Sequence, residues 1–261
     1  METGYSRPML QQAPDTAARF APGLDIDEAL DIALAVVRPL GFTSVLYDYA
    51  PVPLTHDGQL IVPSVMRMLN VPADMEGLWR GGGYHRCDPV QDAALSVSQP
   101  FLWSYVSAQS AVMERVLGER HAPVVAYLRD TRLTCGITVP IRLAGGDLAT
   151  FTAIRLDPER AFAADALRAL PEIGLLGHVL HDAVYAGFDE GTRTCRHVRL
   201  SPRERQCLAL CAEGLTAKEI AHRLDRSIPT VTLHLNAATR KLGARNRFQA
   251  VARAAHYRLL S

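Results

Sequence analysis

Residues 200–261 read LSPRERQCLALCAEGLTAKEIAHRLDRSIPTVTLHLNAATRKLGARNRFQAVARAAHYRLLS, and they decide the fold of the C-terminal part of the chain. Two capping boxes, at residues 201–204 (SPRE) and 216–219 (TAKE), each mark a helix start, because the side chains of Ser or Thr and Glu bond each other's backbone N–H groups. Ser227 and Asn246 belong to the residue types that cap helix N-termini. The stretch therefore predicts four short helices.

The helix ends are marked as clearly as the starts. Gly214 and Gly243 follow the first and third helices, and glycine accepts the left-handed backbone of a C-terminal cap. A tight turn at residues 225–226 joins the second helix, which reaches Leu224, to the third, which runs to about Leu242. Two short helices joined in this way, the second of them polar on its outer face, predict a helix-turn-helix.

Charge divides the chain into two unlike parts. Residues 196–261 contain 13 Lys and Arg and four acidic residues, a net charge of +9, whereas the whole chain has a net charge of +1. The preceding residues are therefore acidic overall, at about −8. A basic surface neutralises DNA phosphates and predicts salt-sensitive binding. The alternative is a solvated helical bundle whose charges have no partner.

The basic segment resembles the C-terminal DNA-binding domain of LuxR-type transcription regulators. The resemblance rests on the run at residues 214–224, the Thr230-Val231 pair and the run at residues 240–250. One position departs from the family pattern, since Thr232 stands where the family often has lysine. The resemblance implies a homodimer that binds double-stranded DNA at a palindromic operator, with RNA polymerase as a further partner.

The third helix of this segment is the candidate recognition helix. Thr232 and Asn236 lie one turn apart on its outward face, at positions where the family reads bases, and Asn suits adenine. We expect Asn236→Ala to relax specificity and Lys241→Ala to weaken binding to all sequences alike. His234 is either a phosphate or groove contact or a plain exposed residue. The candidate phosphate contacts are Lys218, Ser227, Thr230, Arg240, Lys241 and Arg247.

Length and composition indicate a second, larger domain. The chain has 261 residues, of which 48% are hydrophobic, enough for a sizeable core beside the small helical domain. We predict an N-terminal arm at residues 1–24, a ligand domain at 25–186, a linker at 187–198 and the DNA-binding domain at 199–261. No apolar run is long enough to span a membrane and no secretory apolar segment is present, which predicts a cytoplasmic protein.

The five cysteines are scattered, and we expect neither a metal site nor a cofactor. Cys207 and Cys211 are four residues apart, which could suggest a metal pair, but no second pair has ligand spacing. Packing in the core of the DNA-binding domain is therefore the expected role of these two residues.

The N-terminal part alternates helices and strands. Residues 25–40 read as an amphipathic helix, residues 42–49 as a strand and residues 59–62 as a further strand. Residues 136–143 and 148–155 flank a Gly-rich turn and predict a β-hairpin. Helices and hairpin-linked strands together predict an α+β fold with an antiparallel sheet covered on both sides.

A long helix follows the predicted hairpin. Asp157 has the position of its N-cap and Pro158 that of its first residue, and the helix runs to Tyr185 with an interruption near Pro171. A layered domain of this kind can hold a small apolar pocket between the sheet and its helices.

Residues 71–103 resemble the autoinducer-binding domain of LuxR-type proteins. The resemblance rests on Tyr84, the Asp-Pro-Val run at residues 88–90 and Trp103, and the strand at residues 136–141 (GITVPI) matches as well. It implies an N-terminal α-β-α sandwich that binds acyl-homoserine lactones, followed by an all-α helix-turn-helix domain of four helices.

The resemblance also implies roles for individual pocket residues. Asp88 would accept a hydrogen bond from the ligand amide, Trp103 would pack on the ligand ring, and Thr152 would offer a hydroxyl. A buried carboxylate needs a donor and an indole covers a small ring, so the chemistry agrees. Without the resemblance, Asp88 reads as a helix cap and Trp103 as ordinary core. The candidate ligand contacts are Val71, Met75, Trp79, Tyr84, Asp88, Pro89, Trp103, Thr138 and Thr152.

Three positions depart from the family's usual pocket. Met75 stands where a tryptophan usually donates to the lactone carbonyl, Trp79 where a tyrosine donates to the acyl carbonyl, and Val71 where another tyrosine is frequent. Losing a polar contact to a buried carbonyl costs about 1–3 kcal/mol, or roughly ten- to a hundredfold in affinity. We therefore expect a weak response to common acyl-homoserine lactones. The Met75 and Trp79 pair resembles the LuxR solos of plant-associated bacteria, which implies a plant-derived signal.

The sequence thus predicts a transcription regulator of the quorum-sensing type and not an enzyme. A small-molecule signal fills the N-terminal pocket and stabilises the folded, dimer-competent state. Two alternatives are a ligand-independent regulator whose pocket is filled by its own side chains, and a regulator that acts by forming a heterodimer with another LuxR-type protein. The glycines at residues 81–83 lack the lysine of a phosphate-binding loop and predict a flexible loop over the pocket.

Overall fold

The computed structural model describes residues 18–106, 111–156 and 162–260 and divides into two units. The first unit contains the described residues up to Ala50 together with Val65–Asp189, and the second contains Pro51–Ser64 with the residues from Glu190 onward. Residues 51–64, which the predicted boundaries assign to the ligand domain, thus group with the C-terminal residues. The predicted helix start at residues 157–158 and most of the predicted arm lie outside the described residues.

An antiparallel sheet of five strands forms the centre of the first unit. The strands are β1 Ser44–Ala50, β2 Val65–Leu69, β3 Phe101–Ser104, β4 Cys135–Arg142 and β5 Leu148–Arg155. Their order across the sheet is β2-β1-β5-β4-β3. The β4–β5 hairpin pairs Arg142 with Leu148 across the Gly-rich turn, which confirms the predicted hairpin.

The strand predicted at residues 59–62 is wrong. Leu60 makes only an isolated bridge to Leu54, and the second strand begins instead at Val65. The apolar run at 59–62 lies between a turn at Gly58, whose φ is 85°, and Pro63, which has no N–H to donate to a ladder. Four residues between two such breakers are too few to build a paired strand.

Helices cover both faces of the sheet. One face packs against α1 Ile26–Val37 and α6 Phe162–Tyr185. The other face carries α2 Met75–Arg80, α3 Pro89–Ser96, α4 Ala111–Val116 and α5 Ala122–Asp130. Alternate residues of each strand therefore enter different cores: Val45 and Tyr47 face the long helices, whereas Leu46 faces the short ones. This is the predicted α-β-α sandwich.

The helix predicted at residues 25–40 and the long helix predicted to end at Tyr185 are both present. Asp25 caps α1 by accepting a hydrogen bond from the Asp27 N–H at 2.9 Å, and a 3-10 turn at Arg38–Leu40 ends at Gly41, whose φ is 88°. The predicted interruption of α6 near Pro171 is wrong, because the helix is continuous. Pro171 is exposed, so its ring projects into solvent while the packed face of the helix is held by the core.

The second unit is a bundle of four helices, as the sequence predicts. They are α7 Pro202–Ala212, α8 Ala217–Arg223, α9 Ile228–Lys241 and α10 Arg247–His256. Both capping boxes are present, and Ser227 and Asn246 cap α9 and α10 through their side chains. Gly214 and Gly243 have φ values of 94° and 62°. The start and stop signals in the sequence are thus confirmed as structural elements.

Residues 51–64 belong to the core of this second unit. Val52 and Ile61 are buried in the same apolar cluster as Leu208 and Val231. His56 lies with its Nδ1 2.9 Å from the Tyr257 hydroxyl, and a ring nitrogen of His256 lies 2.8 Å from the Leu54 carbonyl oxygen. Among the residues that the structure describes, no helix is both long enough and apolar enough to cross a bilayer.

Candidate ligand pocket and DNA-binding surface

A cavity lies on the face of the sheet that the short helices cover. Its free volume is about 20 Å³, which is room for about one water molecule, so a larger ligand has to displace the side chains that line it. Five predicted ligand contacts line it, namely Met75, Trp79, Asp88, Trp103 and Thr152. The other lining residues are Leu46, Asp48, Val90, Gln91, Leu128 and Ile154. The structure therefore brings the central part of the predicted site together in one place.

Asp88 is tied to the protein by both of its carboxylate oxygens. Its Oδ2 accepts a hydrogen bond from Trp79 Nε1 at 2.7 Å, and its Oδ1 accepts one from the Val90 N–H at 2.8 Å, which caps α3. The cap function weighed for this residue is thus present alongside its position in the cavity. Trp79 differs from the residue usual at this position in the family, and its single N–H donor is bonded to Asp88.

The indole N–H of Trp103 belongs to a short chain of hydrogen bonds. Its Nε1 donates to Thr138 Oγ1 at 3.0 Å, and Thr138 Oγ1 lies 2.9 Å from Thr152 Oγ1. Gly136 makes room for the indole, since a Cβ at that position would lie 2.7 Å from Trp103 Cζ2. The indole N–H is therefore engaged inside the protein, and the ring presents apolar surface to the cavity.

The remaining predicted contacts lie near the cavity and do not line it. Tyr84 packs edge-to-face on Trp79, with 5.4 Å between ring centroids, and Val71 packs against the same apolar cluster. Pro89 is the buried first residue of α3. Val71, Tyr84, Pro89 and Thr138 lie outside the lining of this cavity.

Two polar residues in the cavity escaped the sequence analysis. Asp48 projects from β1, and its Oδ2 accepts a hydrogen bond from Gln91 Nε2 at 2.9 Å. Gln91 Nε2 also lies 3.1 Å from Thr150 Oγ1. The signal was present in the sequence, because an aspartate in the apolar run at residues 45–50 breaks the pattern of a strand buried on both faces.

Burial controls the ionisation of both carboxyl groups. Burial and, to a smaller extent, the nearby charge of Asp88 together raise the pKa of Asp48 to about 8, against the lowering effect of the Arg80 charge and of the hydrogen bonds from Thr150 and Gln91. Burial also raises the pKa of Asp88, against the lowering effect of its bonds from Trp79 and Val90. The Arg80 guanidinium donates to Glu76 Oε1 and to the Met66 carbonyl oxygen, both at 2.8 Å, and does not line the cavity.

The helix-turn-helix places the predicted base contacts on one exposed face of α9. Thr232 and Asn236 are exposed, His234 is half-buried, and Val231, Leu235 and Ala238 form the buried stripe. The Thr232 hydroxyl donates to the Ile228 carbonyl oxygen at 2.9 Å. The helix thus presents a methyl group and an amide, a pair able to contact base edges in a major groove.

The predicted phosphate contacts differ in their exposure and in the partners that their side chains already have. Lys218, Arg240 and Arg247 are exposed, and the Arg247 guanidinium stacks over the Phe248 ring at 5.0 Å. Ser227 Oγ and Thr230 Oγ1 lie 2.8 Å apart at the start of α9.

Lys241 has a partner within its own domain. Its Nζ lies 2.7 Å from Oε2 of Glu204, a carboxylate that is only 8% exposed, and this bond together with the capping box lowers the Glu204 pKa despite burial. Removing Lys241 would leave a buried charge unpaired. An effect of Lys241→Ala on DNA affinity would therefore include an effect on domain stability.

Comparison with known proteins agrees with both halves of the structure. Residues 25–184 match the model of the autoinducer binding domain, and residues 198–254 match the bacterial regulatory proteins of the luxR family. The chain is 33% identical over 179 residues to the transcriptional activator protein RaiR of Rhizobium etli, covering 67% of this chain and 69% of RaiR. It is 28% identical over 256 residues to BjaR1 of Bradyrhizobium diazoefficiens, covering 94% and 96% of the two chains.

Solved structures show the same architecture at low sequence identity. SdiA in complex with octanoyl-rac-glycerol has a TM-score of 0.59 and 21% identity, with 97% of each chain covered. Escherichia coli SdiA in another crystal has a TM-score of 0.57 and 19% identity, covering 97% of this chain and 99% of SdiA. Since the autoinducer-binding match spans more than half of the chain and a helix-turn-helix match follows it, the chain belongs to the LuxR family of quorum-sensing transcription regulators, which are DNA-binding proteins and not enzymes.

Proposed function

We propose that this regulator responds to a small molecule other than the common acyl-homoserine lactones. The observation that carries the proposal is the 2.7 Å bond from Trp79 Nε1 to Asp88, because it engages the donor that stands in the place of the family's usual tyrosine. Met75 offers no donor at all. A lactone and an acyl carbonyl buried beside these residues would lack hydrogen bonds.

The chain offers its own reporter for a test of this proposal. Trp79 and Trp103 are its only tryptophans, and both line the cavity, so tryptophan fluorescence reports on this site. We expect octanoyl- and 3-oxohexanoyl-homoserine lactone to bind roughly ten- to a hundredfold more weakly than to a regulator with the usual donors. Met75→Trp with Trp79→Tyr should recover part of that affinity. Nanomolar binding of either lactone by the wild-type protein would contradict the proposal.

We propose the ligand domain at residues 25–186, apart from residues 51–64, which pack in the core of the second unit, the linker at 187–198 and the DNA-binding domain at 199–261 as the working parts of the regulator. Ligand binding stabilises the state that dimerises, and a homodimer places two copies of α9 in successive major grooves of a palindromic operator in the cytoplasm. RNA polymerase is the further partner that transcriptional control requires. The Met75 and Trp79 pair supports, on resemblance alone, a place among regulators that respond to plant-derived signals.

A second candidate is a regulator that needs no ligand. It is favoured by the internal bonds of the cavity, where Trp79, Trp103 and Gln91 all donate to other residues of the protein. Operator binding by ligand-free protein distinguishes the two candidates, since the ligand-responsive protein binds weakly until its signal is added. The buried Oδ1 of Asp48 has no hydrogen-bond partner in the part of the chain that the structure describes, which favours the ligand-responsive candidate.

A further inference from the structure

The cavity contains an acceptor without a partner. Asp48 is 6% exposed, and its Oδ1 has no hydrogen-bond partner among the described residues, although its Oδ2 is bonded to Gln91. A buried polar atom without a partner is unfavourable, and the penalty is largest when the group is ionised. Because Asp48 lines the cavity, a bound molecule is the available partner for Oδ1.

The N–H donors that line the same cavity are already engaged. The indole N–H groups of Trp79 and Trp103 and the side-chain amide of Gln91 each donate to an oxygen of the protein. A ligand carbonyl therefore meets no free N–H from these side chains. A cationic ligand would shift Asp48 to its ionised form, in which Oδ1 is an acceptor.

The charge of the lining points to the kind of donor. Asp48 and Asp88 both line the cavity, and among the residues that the structure describes no Lys or Arg lines it. Arg80 is the cation whose charge acts on Asp48, but its guanidinium is bonded to Glu76 and to a backbone carbonyl oxygen. Burial and the charge of Asp88 both oppose ionisation of Asp48, and a positive charge inside the cavity would offset both effects.

We propose that the cavity binds a small amphipathic ligand through a protonated amine, which places an ammonium group on Asp48 Oδ1 and an alkyl portion against Leu46, Leu128 and Ile154. The proposal rests on the function proposed above and narrows its ligand class. An ammonium group donates three hydrogen bonds, and bonds between ionised partners are shorter and stronger than neutral ones.

Three probes with one alkyl chain separate the contribution of charge from that of apolar burial. Full-length protein at about pH 8, where an alkylamine is protonated, is titrated with hexylamine, hexan-1-ol and hexanoate while tryptophan fluorescence is recorded. We expect hexylamine to bind at least about tenfold more tightly than hexan-1-ol, because its ammonium pairs with a carboxylate. We expect no detectable binding of hexanoate, because its carboxylate would be buried without a cation beside it and cannot donate a hydrogen bond to Asp48.

A matched pair of variants assigns the preference to Asp48. Asp48→Asn keeps the size of the side chain and removes its charge, so hexylamine should bind no more tightly than hexan-1-ol. Asp31→Asn removes an exposed carboxylate from α1 and should leave the preference unchanged. A preference retained by Asp48→Asn protein that still unfolds cooperatively would overturn the proposal.

The comparison of the three probes on the wild-type protein tests the proposal without any variant. Equal affinity for hexylamine and hexan-1-ol, or no binding of hexylamine at all, would overturn the amine-binding proposal. Either result leaves the proposed function standing, because failure of that function would show separately, as operator binding that no small molecule alters or as tight binding of an acyl-homoserine lactone.

Discussion

Asp48 is a single residue that serves a sheet and a cavity at once. Its neighbours Tyr47 and Tyr49 project to the opposite face of β1, where the Tyr47 hydroxyl lies 2.8 Å from His181 Nδ1 and the Tyr49 hydroxyl donates to Asp147. The strand is therefore fixed in register by polar bonds on one face. The carboxyl group on the other face is buried, and protonation avoids the unfavourable free energy of burying its charge.

Protonation of Asp48 makes stability depend on pH. Its pKa is raised from 3.8 to about 8 in the folded protein. Below about pH 4 both states hold the proton, between pH 4 and 8 only the folded state holds it, and above pH 8 neither does. The free energy of unfolding should therefore fall as pH rises from 5 to 8, by at most about 1.4 kcal/mol per pH unit from this group.

The Asp48→Asn variant provides the measurement. Urea unfolding at a series of pH values should show a shallower decline for this variant than for the wild-type protein. Asp88, whose pKa is also raised mainly by burial, stays in both proteins, so part of the decline remains in the variant. Asp31→Asn should follow the wild-type curve, and parallel curves for all three proteins would show that Asp48 is ionised in the folded state.

At the scale of elements, α9 carries one candidate contact to DNA bases and another to phosphates. Asn236 lies on its exposed face and Arg240 lies one turn further along, also exposed. Asn236→Ala should reduce the difference in affinity between the operator and a site with one changed base pair by about 1–3 kcal/mol. Gel-shift titrations against both sites check this.

Arg240→Ala is a better control for this experiment than a change at Lys241. It should weaken binding to both sites by the same factor, whereas Lys241 also pairs with the buried Glu204 and its removal would destabilise the domain. If Asn236→Ala left both affinities unchanged, α9 would not face the major groove as proposed.

The elements also show what the sequence can and cannot predict. The caps at Ser201, Thr216, Ser227 and Asn246 are local, since each accepts a hydrogen bond from a backbone N–H three residues away, and they appear where the sequence predicts them. The apolar run at residues 59–62 reads as a strand by the same local rule, but pairing is a long-range property. Ile61 instead joins a core formed mainly by residues more than 140 positions later.

The candidate site shows the same limit. Met75, Trp79, Asp88 and Trp103 could be assigned to the cavity through resemblance to a family, and the structure brings them together. The Trp79 bond to Asp88 could not be predicted, because it depends on how α2 packs beside the start of α3. Asp48 was missed because family resemblance draws attention to positions that match, whereas this carboxylate is informative only when its surroundings are known to be dry.

At the scale of the whole molecule, the segregation of charge governs association with DNA. Residues 196–261 carry a net charge of +9 within a chain of net charge +1. A dimer that neutralises about 6–10 phosphates should lose roughly 10³–10⁵ in affinity between about 50 and 200 mM salt. Fluorescence anisotropy with labelled operator at several salt concentrations measures the slope.

The acidic remainder of the chain predicts a second feature of this measurement. It should suppress nonspecific DNA binding relative to an isolated fragment of residues 199–261, since like charges repel. Arg240→Ala should reduce the steepness of the salt dependence by about one unit per subunit. A slope of log affinity against log salt concentration no steeper than about one or two would mean that the basic surface does not contact phosphates.

The Trp79–Asp88 bond has a consequence for anyone choosing compounds against this protein. A molecule built to reach Asp88 competes with an indole that is already in place, so it exchanges one hydrogen bond for another and gains little. A molecule built to reach Asp48 need not break such a bond and completes a bond that the protein leaves open. Medicinal chemistry on this scaffold should therefore grow compounds toward strand β1 and treat the aspartate at the start of α3 as an anchor already in use.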